Sequence, residues 1–176
     1  MAEQSVTADF SVHCWEGSPV IITEVMRDRE GDGDWIELFN VSGAPVDLSG
    51  WQIQRLISLE TCVIGTATIQ PGAHLVIGPV VDPAQNGGVP GMIQCSGTLL
   101  SDAGDMLLRL TDGQEVPIDL VGVPSTTPFP NQSFSLSPTA YNSVVNDDPA
   151  NWCLGVTPYG TAGKFGTPGA LNPACP

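Results

Sequence analysis

Two short runs decide the fold: PVIITEVM (residues 19–26) and DWIELFN (34–40), separated by the acidic turn RDREGDGD (27–34). The first run is rich in β-branched residues and apolar on both alternating sets except at Glu24, as in a strand lying in the middle of a packed sheet. In the second run Trp35, Glu37 and Phe39 fall on one face and Ile36 and Leu38 on the other, the period of a strand. Two such runs joined by a short turn read as neighbours, which brings Glu24 and Glu37 close together.

The same pattern continues outward. PVDLSGWQIQRL (45–56), with Gly50 as a break or bulge, CVIGTATI (62–69), HLVIGPV (74–80), MIQC (92–95), MLLRLT (106–111) and EVPIDLVGV (115–123) each read as a strand. Turn residues support these divisions: Pro71-Gly72 precedes HLVIG, Asn86-Gly87-Gly88 marks a loop, and Asp112-Gly113 joins the last two runs as a hairpin. No window sustains apolar residues at spacings of three and four, so the chain is all-β, and its roughly eight strands fit a sandwich. From residue 124 to 176 Pro, Ser, Thr, Asn and Gly dominate, with one strand-like piece, SFSLS (133–137). That region keeps Tyr141, Trp152, Tyr159 and Phe165, which predicts an ordered extension folded back onto the sandwich. The expected organisation is an N-terminal lead (1–17) followed by a single domain (18–176).

The length of 176 residues suits one domain with a real core, and a hydrophobic share of 41% is too high for a disordered chain. With a net charge of −14, and only Lys164, Arg27, Arg29, Arg55 and Arg109 as cations, no basic stripe can form, so nucleic acid is excluded as a partner. The same charge opposes anionic membranes. No apolar run approaches the roughly 20 residues needed to span a bilayer, so membrane insertion is not expected. The opening residues MAEQSVTADFSVHCW lack a basic region followed by an apolar one, and no signal peptide is expected within this sequence.

The ordered succession IITEVM, acidic turn, DWIELFN, VDLSGW (46–51), PGAHLVIG (71–78), LSDAGDMLLRLTDG (100–113), IDLVGV (118–123) and FGTPGALN (165–172) resembles the lamin tail domain, particularly its secreted bacterial members. The resemblance covers about 150 residues. It implies an immunoglobulin-like β-sandwich, in agreement with the strand count, and a non-enzymatic interaction or structural module. Nuclear members meet chromatin and protein partners, whereas bacterial ones occur on secreted or surface proteins, sometimes beside hydrolase domains. The charge of −14 and the missing rod depart from the nuclear type. The expected location is therefore extracellular or the cell envelope, with a protein or a cell-surface polysaccharide as partner.

Five cysteines (Cys14, Cys62, Cys95, Cys153, Cys175) stand at long spacings without a C-x-x-C pair, which favours structural disulfides over zinc or a redox dithiol. Several two-bridge arrangements are open, and five reduced thiols in a cytosolic protein are the competing reading. Cys62 opens one strand and Cys95 closes another, while Cys153 and Cys175 bracket the least periodic segment. The expected bridges are thus Cys62 with Cys95 and Cys153 with Cys175, leaving Cys14 unpaired.

Three constellations could carry chemistry. Asp28, Glu30, Asp32 and Asp34 alternate around two glycines like the start of a calcium loop, which would make the chain a calcium-stabilised adhesion module. The closing bidentate glutamate is missing, since the twelfth position is Phe39, and Arg27 and Arg29 offset half of the acidic charge, so a solvated acidic turn competes with a calcium site. Glu24 and Glu37 could serve as acid and base on a polysaccharide, although a strand glutamate near a bulge more often accepts hydrogen bonds. The third is aromatic: Trp152 and Tyr159 are the candidates for an exposed carbohydrate-stacking surface, and Trp15, Trp35 and Trp51 for core packing. His13 and His74 are isolated, His74 reading as an exposed edge residue. No nucleophile elbow, H-E-x-x-H, Walker loop or G-x-G-x-x-G is present. No catalytic residue, and no cofactor beyond this calcium candidate, is therefore expected.

Overall fold

A computed structural model describes residues 17–27, 33–56, 58–96, 100, 105–124, 131–160 and 163–176. Among the described residues fourteen strands follow in chain order: β1 (Val20–Met26), β2 (Trp35–Asn40), β3 (Val46–Asp47), β4 (Gln52–Arg55), β5 (Glu60–Ile64), β6 (Thr68–Ile69), β7 (His74–Gly78), β8 (Ile93–Ser96), β9 (Met106–Thr111), β10 (Pro117–Val123), β11 (Phe134–Leu136), β12 (Trp152–Leu154), β13 (Pro158–Tyr159) and β14 (Lys164–Phe165). Ten form one curled sheet in the order β10-β9-β4-β5-β8-β7-β2-β1-β11-β12. β8 is the shared strand, parallel to β7 and antiparallel to β5, and it joins the two layers of an immunoglobulin-like sandwich.

Each layer supplies one face to a single apolar core. Val20, Ile22, Ile36 and Leu38 from one layer and Ile53, Leu108, Leu110 and Val121 from the other are at most 2% exposed. β1 is buried along its whole length because β2 and β11 flank it on either side.

The expected long runs divide further than their periodicity suggests. The run 45–56 splits into β3 and β4 around Gly50, whose φ of 79° is a left-handed conformation that favours glycine. The run 62–69 is two strands, β5 and β6, because β6 leaves the large sheet to pair with β3. The hairpin at Asp112 forms as expected, the aspartate carboxylate accepting from the N–H groups of Gln114 (2.8 Å) and Val116 (2.9 Å).

The two layers also meet along a seam where β1 runs beside β10. Ser18 Oγ donates to the Ile118 carbonyl (2.5 Å), Ile22 N–H to Asp119 Oδ2 (2.7 Å) and Arg27 Nη1 to the Pro124 carbonyl (3.3 Å). Asp119 is 3% exposed and also receives Asn146 Nδ2 at 2.9 Å on each oxygen. Burial pushes its carboxyl up to about 7, against the lowering effect of the Ile22, Asn146 and Leu120 donors. Asn146 Oδ1 is left with no hydrogen-bond partner.

The C-terminal region packs back onto the sandwich, and more of it is strand than its composition suggests. β12 extends the sheet beyond β11, and β13 pairs with β14. A second small core, Met26, Trp35, Val76, Val89 and Met92, lies on the outer face of β2 and β7, and Tyr159 packs against it. The expectation of exposed aromatics at Trp152 and Tyr159 is corrected here. Trp152 is 7% exposed, stacked on Phe134 with centroids 5.1 Å apart, its indole N–H donating to the Asn146 carbonyl (2.6 Å). Tyr159 is half-buried and its hydroxyl accepts from Trp35 Nε1 (3.0 Å). Trp35 and Trp51 are core residues at 1% and 8% exposure, and Trp15 lies outside the described residues.

Candidate functional site

Glu24 and Glu37 sit opposite each other on β1 and β2, both with no exposed surface. A bulge between Ile22 and Glu24 breaks the alternation of β1, so that consecutive residues Thr23 and Glu24 both serve the outer face. There they meet the strap 165–176, the end of the chain. Two carboxyls in an apolar sheet need donors, and the strap supplies them.

Glu37 accepts from Thr23 Oγ1 (2.8 Å) and the Gly169 N–H (2.7 Å), and its Oε1 is hydrogen-bonded with His74 Nδ1 at 2.9 Å. Glu24 Oε1 accepts from the hydroxyls of Ser133 and Ser135, the latter at 2.8 Å, and from the Thr167 N–H at 3.0 Å. Glu24 Oε2 lies 3.0 Å from Thr167 Oγ1. Burial raises the Glu24 carboxyl to about 7, helped by the neighbouring Glu37 charge and opposed by the Ser133, Ser135 and Thr167 donors. Asn172, 2% exposed, closes the arrangement. Its Nδ2 donates to the carbonyls of Thr23 (2.9 Å) and Leu136 (3.0 Å), while its Oδ1 is 2.6 Å from Thr167 Oγ1.

The strap sequence fits this geometry closely. A Cβ on Gly166 would stand 2.9 Å from both Glu24 Oε1 and Ser133 Oγ, so no larger residue fits without displacement. Gly169 has a φ of 80° and points its N–H at Glu37. The strap's far end is held by a disulfide between Cys153 of β12 and Cys175, with Cα atoms 5.6 Å apart. A second disulfide joins Cys62 of β5 to Cys95 of β8 across 5.4 Å between Cα atoms, buried in the core.

The candidate residues thus fall into separate places. Glu24 and Glu37 come together as their strand positions predict, but beneath the strap, with no surface on which to meet a substrate. His74 is corrected from an exposed edge residue to one with a side chain 9% exposed, facing Glu37 and leaning on Phe39 with centroids 4.6 Å apart. Of the four carboxylates of the acidic turn only that of Asp34 is described; Asp28, Glu30 and Asp32 lie outside the described residues, as do Cys14 and His13. No cluster of three metal-ligating side chains occurs among the described residues. A surface cavity of about 490 Å³ beside β12 is lined by Leu154, Val156, Pro173 and Ala174 among others and carries no ionisable side chain. The strap donors Thr167, Gly169 and Asn172 escape sequence reasoning as ligands of the glutamates. The signal available is the density of Gly, Thr and Asn in FGTPGALN facing two strand glutamates in need of donors.

A two-layer all-β unit whose paired acidic side chains are used internally defines a β-sandwich module of the immunoglobulin-like class. The chain belongs to the Lamin Tail Domain family, whose model matches residues 16–125. The match spans β1 to β10 and includes Glu24, Glu37 and His74, but ends before β11 and the strap. No curated protein matches the chain in sequence. The family is broadly one of non-enzymatic interaction and structural modules, and no helix among the described residues is long and apolar enough to cross a membrane.

Proposed function

We propose that this chain is a disulfide-stapled, non-enzymatic interaction module working in the extracellular space or the cell envelope, where it meets a protein or a cell-surface polysaccharide. The observation that carries the reading is the use of Glu24 and Glu37. The two carboxyls best suited to acid–base work are fully buried and engaged by the chain's own strap, so their chemistry goes into closing the fold. Two cystine bridges support an oxidising location, because reduced cytosol does not sustain such bonds.

The test has two arms. The purified chain is assayed for turnover on a panel of polysaccharides, and none is expected; turnover that disappears in Glu24→Gln or Glu37→Gln would overturn the non-enzymatic assignment. Peptides of the protein recovered from its producing cells are mapped without reduction. Cys62 linked to Cys95 and Cys153 to Cys175 is the expected map, and five free thiols would refute the extracellular assignment.

A further inference from the structure

The hydrogen bonds around Thr167 determine where a proton sits. Asn172 Nδ2 donates to two backbone carbonyls, so Asn172 Oδ1 can only be an acceptor. At 2.6 Å, Thr167 Oγ1 must give that oxygen its single hydrogen. The same hydroxyl then has no hydrogen left for Glu24 Oε2, which is 3.0 Å away. That contact is a hydrogen bond only when the Glu24 carboxyl carries a proton and donates it to Thr167. Glu37 lies beside it, its oxygens facing Thr23 Oγ1, His74 Nδ1 and the Gly169 N–H.

We propose that the C-terminal strap is a proton-dependent latch: the protonated Glu24 carboxyl holds residues 166–174 closed through Thr167 and Asn172, and loss of that proton loosens them. The ionisable groups around Glu24 are few. β2 contributes Glu37; β7 contributes His74, which faces Glu37; Tyr141 follows β11, and burial raises its phenol so that it stays neutral. β11 presents only hydroxyls, and the strap from 165 to 176 brings no acidic or basic side chain. Among the described residues no cation faces Glu24 directly to compensate its ionisation beside Glu37. Glu24 titrates near 7 under the strap, against 4.5 for an exposed glutamate. The closed-to-open ratio of the strap then falls on the order of a hundredfold between pH 5 and 8.5. The Cys153–Cys175 bridge keeps the opened strap tethered as a loop.

Hydrogen exchange of the full, oxidised chain tests this. Protection in peptides covering 166–174, referenced to the free peptide of residues 163–176, is measured from pH 5 to 8.5 and compared with peptides from β9. The expected result is a strap-specific loss of protection in the wild type. Glu24→Gln should hold its protection at both pH values, because its amide can donate to Thr167 and accept from Ser133 and Ser135. Equal wild-type protection at pH 5 and 8.5, a loss shared equally by β9, or the same loss in Glu24→Gln would overturn the latch. If Glu24→Gln does not fold, the wild-type strap and β9 profiles decide the question alone.

Discussion

Replacing Asp119 by Asn should make the protein more stable at neutral and alkaline pH and leave it unchanged in acid. Asp119 lies at the seam between β1 and β10, 3% exposed, with the Ile22 N–H and Asn146 as partners. In the folded chain its carboxyl titrates near 7, against 3.8 for an exposed aspartate. Between these two pH values the folded state holds a proton that the unfolded state has released, so stability falls as pH rises. The contribution is full below the unfolded value and lost once pH passes the folded one. At about 1.4 kcal/mol per pH unit the difference amounts to about 4 kcal/mol. Asn keeps the acceptor for Ile22 N–H, and after rotation of the Asn146 amide its Nδ2 can serve the orphaned Asn146 Oδ1. Urea denaturation at constant ionic strength from pH 4 to 8.5 is the assay. The wild type should lose several kcal/mol across this range, the mutant less by about 4 kcal/mol. Repulsion among surface carboxylates acts in the same direction but is common to both proteins, so the difference isolates Asp119. Parallel profiles, or a wild type whose stability rises with pH, would refute the reasoning.

Asn172→Ala removes three buried hydrogen bonds and orphans the carbonyls of Thr23 and Leu136, which should cost about 3 kcal/mol in chemical denaturation. Cys153→Ser with Cys175→Ser opens a loop of sequence separation 22 and should cost about 3 kcal/mol in the same assay. Calorimetric titration with calcium should give no dissociation constant tighter than about 10 μM, because the acidic run 28–34 lacks a closing glutamate and carries Arg29 within it.

The strands were readable wherever a run of apolar and β-branched residues persisted over five or more positions, as in β1, β2, β9 and β10. Glu24 and Glu37 were readable as neighbours for the same reason, since a period of two and a short connection leave little freedom of register. Three-residue strands such as β12 show no period at all, and Trp152 sits among Asn, Asp and Pro that point to a loop. Its burial comes from the stacked ring of Phe134, eighteen residues earlier in the chain and adjacent only once β11 and β12 pair. The strap was hidden more deeply. Its donors are largely backbone N–H groups, which every residue but proline possesses, and their acceptors lie more than 130 residues away.

The family match and the physical unit therefore have different boundaries, for a reason visible in β1 and β2. The inward faces of these strands pack into the main core, most of which lies within 16–125, with Leu136, Ala140 and Trp152 added from the C-terminal region. Their outward faces carry Glu24, Glu37, Phe39 and Trp35, which find their partners in Thr167, Gly169, Tyr141 and Tyr159. Without residues 131–176 the two carboxyls would lose the Thr167 and Gly169 donors, Phe39 its Tyr141 neighbour and Trp35 its Tyr159 partner, while Met26, Val76, Val89 and Met92 would still pack on Trp35. Mutual repulsion in one β1–β2 pair and the loss of the outer apolar cover would then act together on the strand at the centre of that layer. Residues 131–176 are in this sense the second half of the β1–β2 outer face, and the disulfide from Cys153 to Cys175 fastens that half to the sheet edge it covers.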